Sequence, residues 1–246
     1  MTLLIQPTVP GLLNQLAEYF VFTAQQCIRE NGRFTVALSG GSSPEKFYAL
    51  LASDAYRLQV DWSKVFFFLG DERYVPVTDD DSNFKMINRV LFHPLHINIA
   101  QVFPVNTLVE AAEAAAQYMQ QINLHFNHQP PRFDLVLLGL GDNSHTASLF
   151  PFTDILTAAE ATVQSVYLPE LQVFRISFTA PLINLAHRVA FLVYGENKAQ
   201  AVHNVLEGPA NIPLFPARLI RPVDGELSWY LDTAAASGLQ NTSDKH

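Results

Sequence analysis

Two kinds of apolar pattern alternate along the chain. One repeats every three to four residues. In "GLLNQLAEYFVFTAQQCIREN" the apolar side chains fall at 12, 16, 20, 23/24 and 27, the stripe of a helix. The other is nearly continuous. "RFTVALSGG", "KVFFFLGDER", "FDLVLLGLG" and "RVAFLVYG" are runs of Val, Leu and Phe, as in strands covered on both faces. Helices are predicted between them: "SSPEKFYALLAS", whose Ser-Ser-Pro-Glu supplies a cap and a proline for the first turn; "DSNFKMINRVLF", capped by Asp81 or Ser82; the alanine-rich "VEAAEAAAQYMQQINLHF"; and "ENKAQAVHNVLEG", stopped by glycine. "PARLI" reads as a short late strand and "GELSWYLDTAAAS" as a final helix. Strands alternating with helices define an α/β chain: a doubly wound, mainly parallel sheet flanked by helices. No repeat or low-complexity linker interrupts it, so one domain over residues 1–236 is expected, followed by a polar tail, 237–246.

Composition narrows the partners. The 246 residues suffice for a large core, and 49% of them are apolar. The net charge of −8, with few and scattered basic residues, argues against nucleic acid, so an anionic ligand requires cations gathered locally. Cys27 is the only cysteine, on the apolar face of the first helix, and reads as core. "MTLLIQPTVPG" lacks a basic n-region, and no apolar stretch is long enough for a membrane span, so the expected address is the cytoplasm with no membrane partner. The expected state is a monomer or weak homodimer.

Candidate chemistry gathers where strands end. "LSGGSSP", "LGDER" and "LGLGDNSH" place their polar residues at three strand tips, and in such sheets ligands bind outside the carboxyl ends of the strands. Gly40, Gly41 and Ser42 stand between a strand and a helix N-terminus, where backbone N–H groups and the helix dipole favour an anion. The stretch matches neither G-x-x-x-x-G-K-[ST] nor G-x-G-x-x-G, and an ordinary βα turn is the competing reading. Asp71, Glu72 and Arg73 follow an apolar strand that has no other use for them. "DDDS" (79–82) reads as a solvated loop with a helix cap, not a metal site. Of eight histidines, seven (His93, His96, His125, His128, His187, His203 and His246) lie in polar or helix-surface contexts. His145 differs: it follows a glycine-rich strand tip and precedes "TASLF", read as a helix start, and an imidazole suits general-base work near neutral pH. Arg175 and Lys198 are singly unremarkable cations that, with the serine-glycine loop, could neutralise a phosphate.

"ALSGGSSP", "FFLGDERYVP…DSNF", "DLVLLGLGDNSHTASLFP", "RISFTAPLINLAHRVAFLVYGENKAQAV" and "PARLIRPVDGELSWYLD" together resemble the 6-phosphogluconolactonases, in that family's order from about residue 10 to 236. The resemblance implies the fold shared with sugar-phosphate isomerases and deaminases. It also implies hydrolysis of 6-phospho-D-glucono-1,5-lactone to 6-phosphogluconate, the second step of the oxidative pentose phosphate pathway, with no metal or organic cofactor. The family's catalytic histidine falls on His145, and its phosphate-binding features on Gly40, Gly41, Ser42, Arg73, Arg175 and Lys198. The family usually shows Asp-x-His at the third tip; here the residue is Asn143, which can orient His145 but brings no charge, leaving Asp142 or Asp71 to supply one. Two rivals stand beside this reading. An amino-sugar-phosphate deaminase or isomerase would carry a glutamate after the histidine, and "SLFPFTD" has none. A non-catalytic sugar-phosphate sensor would keep the pocket without turnover.

Overall fold

The computed structural model describes residues 1–240; of the polar tail expected over 237–246, residues 241–246, with His246, lie outside the described residues. In chain order the elements are β1 (Thr2–Gln6), α1 (Val9–Asn31), β2 (Phe34–Leu38), α2 (Ser42–Leu51), β3 (Val65–Leu69), β4 (Asp71–Arg73), α3 (Asn83–Ile87), β5 (Val102–Phe103), α4 (Ala111–His125), β6 (Leu135–Leu138), β7 (Val163–Leu168), β8 (Val173–Phe178), α5 (Ala180–Asn184), β9 (Arg188–Val193), α6 (Ala199–Leu206) and β10 (Glu226–Asp232). Seven strands form one sheet in the order β1-β10-β9-β6-β2-β3-β5, and every pairing in it is parallel. This is the expected α/β architecture.

Because successive strand residues point to opposite faces, each buried strand feeds two cores. Val36, Leu38, Phe67, Leu69, Leu135 and Leu137 pack with Leu16, Phe20, Phe47, Tyr48 and Ile87, from α1, α2 and α3. Ala37, Phe68, Val136, Leu138, Phe191 and Trp229 pack with Tyr118, Ile122, Leu182 and Val202, from α4, α5 and α6. Chain connections leave β2 toward β3 and leave β6 toward β9, so the strand order reverses between β2 and β6. A crevice opens at such a switch point, outside the carboxyl ends. The tips of β2 and β6 are "SGGSS" and "GLGDNSH".

Three expectations fail for physical reasons. "GELSWYLDTAAAS" is not a helix: Glu226–Asp232 is a strand between β1 and β9, with Trp229 and Leu231 to one core and Tyr230 to the other. Aromatic β-propensity and a waiting edge outweigh the alanines, which form a turn. "PARLI" is not a strand: Pro216–Leu219 is one 3₁₀ turn, opened by the proline. "TASLF" begins no helix: Ser144 and Ala147 hold positive φ (63° and 46°), and Thr146 bridges Leu149.

Two features escape the apolar pattern. β1 adds an edge strand at the chain start. A second, antiparallel sheet, β4-β8-β7, stands at the carboxyl end of the first. His125 also departs from its expected surface setting. Its ring sits among Phe66, Phe68, Phe103 and Phe126, its Nε2 meets Thr35 Oγ1 at 3.2 Å, and burial pushes its pKa down to about 4. Among the described residues, no helix is long and apolar enough to cross a membrane.

Candidate functional site

The predicted tips surround one hollow of about 580 Å³. Gly40, Gly41, Ser42, Asp71, Arg73, His145, Arg175 and Lys198 all line it. Asn143 does not line the hollow, although its side chain touches His145.

The first wall is the β2–α2 loop. Ser39 is locked by Tyr48 of α2: the Ser39 N–H donates to the Tyr48 hydroxyl (3.0 Å), which donates to the Ser39 carbonyl (2.8 Å). The cap of α2 is Gly41, at φ 104°, not a serine, and no side chain accepts from its first turn. The N–H groups at that positive dipole end therefore face a hollow and meet no carboxylate or hydroxyl of the loop itself. Gly40 is required by a close approach: a Cβ there would stand 1.7 Å from Asn83 Oδ1.

The second wall comes from β4 and β8. The Glu72 carboxylate accepts from the N–H groups of Arg73, Asn83 and Phe84, at 2.7, 2.7 and 2.8 Å. It thereby fastens the start of α3 to the strand tip and serves the scaffold. Ser82 caps α3, Asp80 pairs with Lys85, and so the "DDDS" run is spent on the loop and the cap. Asp71 is buried; its carboxyl accepts from Ser148 Oγ at 2.7 Å, and burial raises its pKa against the pull of Ser148, Arg73 and Arg175. It is tied to the loop after His145 and supplies no charge at the imidazole's hydrogen bond.

Arg73 and Arg175 are direct cross-strand partners on the β4–β8 ladder. Like charges placed opposite one another destabilise a sheet. Burial first, then Arg73, lowers the pKa of Arg175 against the opposing pull of Asp71, Asp81 and Glu72. Two guanidiniums side by side on one wall of the hollow can chemically bind an anion between them.

The third wall is the β9–α6 loop. Gly195, at φ 98°, turns the chain and donates its N–H to Asp232 Oδ1 (3.0 Å) at the tip of β10. Lys198 follows, its Nζ 2.5 Å from Asp142 Oδ1, which Asn197 Nδ2 also approaches at 3.3 Å. Asp142 thus joins the tips of β6 and β9, holding Lys198 at the rim.

His145 closes the ring. Its Nδ1 is hydrogen-bonded to Asn143 Oδ1. The His145 backbone N–H also points to that atom, at 3.4 Å, which identifies it as the amide oxygen. An oxygen that only accepts forces Nδ1 to carry the proton, and the lone pair of the neutral ring is left on Nε2. Gly141 is a close-approach glycine: a Cβ there would lie 2.1 Å from Cε1 and Nδ1 of the ring. Burial first, then the cations Lys198, Arg175 and Arg73 against the opposing pull of Asp142, push the His145 pKa down to about 4. The imidazole is therefore an unprotonated base throughout the neutral range.

Residue patterns did not single out Tyr48, Asn83, Ser148, Phe150 or Asn197 as parts of this wall. Each meets its partner through the fold rather than at a readable spacing.

The profile of the family described as "Glucosamine-6-phosphate isomerases/6-phosphogluconolactonase" matches residues 7–229. The chain belongs to this family. A 6-phosphogluconolactonase of Nostoc sp. is 37% identical over 242 residues, covering 97% of this chain and 98% of that one. One of Synechocystis sp. is 40% identical over 219 residues, covering 87% and 88%. Among solved structures, the 6-phosphogluconolactonase of Trypanosoma brucei superposes with a TM-score of 0.83 at 29% identity, covering 97% of this chain and 98% of that one. That of Trypanosoma cruzi gives 0.85 at 27% identity, covering 98% and 97%. The fold built above is therefore shared with these solved structures.

Proposed function

We propose that the chain is a 6-phosphogluconolactonase, hydrolysing 6-phospho-D-glucono-1,5-lactone to 6-phosphogluconate, the second step of the oxidative pentose phosphate pathway. The observation that carries the reading is a neutral, tautomer-fixed imidazole sharing one hollow with two opposed arginines and a lysine. The names of its relatives agree with it.

The phosphate binds between Arg73, Arg175, Lys198 and the N–H groups at the start of α2, and this remote anchoring orients the ring. His145 Nε2 takes a proton from water as the water attacks C1. The resulting imidazolium gives its proton to the departing ring oxygen as the C1–O bond breaks. Backbone N–H groups of the glycine-rich loops stabilise the transient oxyanion. Asn143 orients the base without charging it. No covalent intermediate is required, because water is a sufficient nucleophile for an activated ester.

Hydrolysis of the phospholactone above its spontaneous rate tests the reading; a rate equal to the spontaneous one, with the phosphosugar bound, would leave a sensor. Ammonia released from glucosamine 6-phosphate would favour the deaminase branch of the family. Among the described residues, the one carboxylate lining the hollow is Asp71, and it is committed to Ser148.

Three consequences follow for the base. Its unprotonated form is lost only as pH falls through about 4, so kcat/KM retains that form down to there. Asn143→Asp places a carboxylate on Nδ1, favours the imidazolium, and should move this acid limb upward by about 1–3 pH units; an unmoved limb would remove Asn143 from the base. Gly141→Ala must displace the ring, and a shift of this kind should lower kcat by about 10²-fold with the melting temperature nearly unchanged. Steady-state kinetics beside a thermal scan reads both.

A further inference from the structure

Phe150 has no role in the chemistry above, yet its ring lies almost flat on His145, with centroids 3.9 Å apart and planes 19° apart. We infer that Phe150 is a positioning residue, whose ring fixes the imidazole plane so that Nε2 meets the hollow. The inference rests on the proposed lactonase reading and deepens its account of the base.

The backbone makes the contact deliberate. The chain turns back between His145 and Phe150: Thr146 bridges Leu149, the Leu149 N–H donates to the Thr146 carbonyl (3.0 Å), and Ala147 takes a positive φ. Ser148, midway, is anchored twice, its Oγ donating to buried Asp71 (2.7 Å) and its N–H to Ser177 Oγ (3.1 Å). Asp71 therefore acts on the base at one remove, by holding the turn that brings Phe150 over the ring. Phe150 itself is half-buried, packed against the core, and part of the hollow's lining.

Three sides of the imidazole are then accounted for. Asn143 holds Nδ1, Gly141 meets the Cε1–Nδ1 edge, and Phe150 covers a face. A truncated side chain at 150 would leave that face to water, letting an imidazolium be hydrated, and an aliphatic one, lacking a flat face, would let the ring tilt. The charged groups that bear on the ring are Lys198 from the β9–α6 loop, Arg175 from β8, Arg73 from β4 and Asp142 from its own loop. None of them contacts Phe150 in the hydrogen-bond or ion-pair network of the site, so a change at 150 leaves their charges in place.

The test is a proton-NMR titration of His145 in the full chain, assigned by its loss in H145N, for wild type, F150A, F150L and F150Y, with kcat and KM for the phospholactone measured alongside. Wild type should titrate near 4. F150A should titrate higher by about one unit or more as the covered face is hydrated, with F150L between it and wild type. They should also lose about tenfold in kcat with KM held within about twofold, while F150Y restores both values. Identical titration of wild type, F150A and F150L would overturn the inference, as would equal losses through KM. The titration needs no turnover: if wild type failed to hydrolyse the lactone, the functional reading would fall while the titration still decided the role of Phe150.

Discussion

Replacing His145 by alanine should lower kcat by about 10²–10⁴-fold and leave KM within about threefold. The asymmetry follows from the geometry. Nδ1 is engaged by Asn143, so the ring offers the substrate one nitrogen, which in the proposed mechanism handles the reacting proton rather than the phosphate. On the proposed reading the phosphate is held by other walls of the hollow, by Arg73, Arg175 and Lys198 and the first turn of α2. A base that acts in the transition state and not in the ground state shows itself in kcat. The residual rate should come from orientation and oxyanion stabilisation, which the substitution leaves standing. A loss below about threefold would remove His145 from the chemistry.

Arg175→Gln should raise KM about 10–100-fold, as expected for one charge-assisted hydrogen bond to phosphate lost. The same substitution should leave the unliganded protein as stable or raise its melting temperature by roughly 1–3 °C, because it relieves a like-charge cross-strand pair. The two effects have opposite signs, and that is the diagnostic. A structural arginine would cost stability on removal, whereas one held against Arg73 for the sake of an anion should release it. Arg175 Nη1 makes only a 3.3 Å contact with the Phe174 carbonyl, while Arg73 Nη1 donates to the Asp81 carbonyl at 2.7 Å. Arg175 is therefore the better of the two to test. A melting temperature that fell several degrees with KM unmoved would assign the pair to the scaffold.

The strands that build the site were legible because burial on both faces leaves a simple trace: Phe34–Leu38, Val65–Leu69, Leu135–Leu138 and Arg188–Val193 are nearly uninterrupted apolar runs. Their tips stand out because polar and glycine residues follow abruptly. β10 was misread because "SWYLDTAAAS" carries both aromatic strand formers and alanine helix formers, and only a neighbouring strand decides between them. The β7–β8 hairpin was missed although its alternation is present: Phe174, Ile176 and Phe178 on one side, Arg175 and Ser177 on the other. Read that way, Arg175 would already have been a strand residue facing away from the core. Asn143 was legible as a departure from the family's Asp-x-His, but its consequence was not, since tautomer and charge depend on which atom the amide presents. Phe150, Tyr48 and Asn83 have no local signal; their roles arise from a turn, a helix face and a close approach to Gly40 that exist only once the chain is folded.

A crystal structure with 6-phosphogluconate bound addresses the central arrangement most directly. The account predicts the phosphate between Arg73, Arg175, Lys198 and the first N–H groups of α2, with the C1 carboxylate within hydrogen-bonding distance of His145 Nε2. Product seated with its carboxylate away from His145, or its phosphate outside the paired arginines, would contradict it.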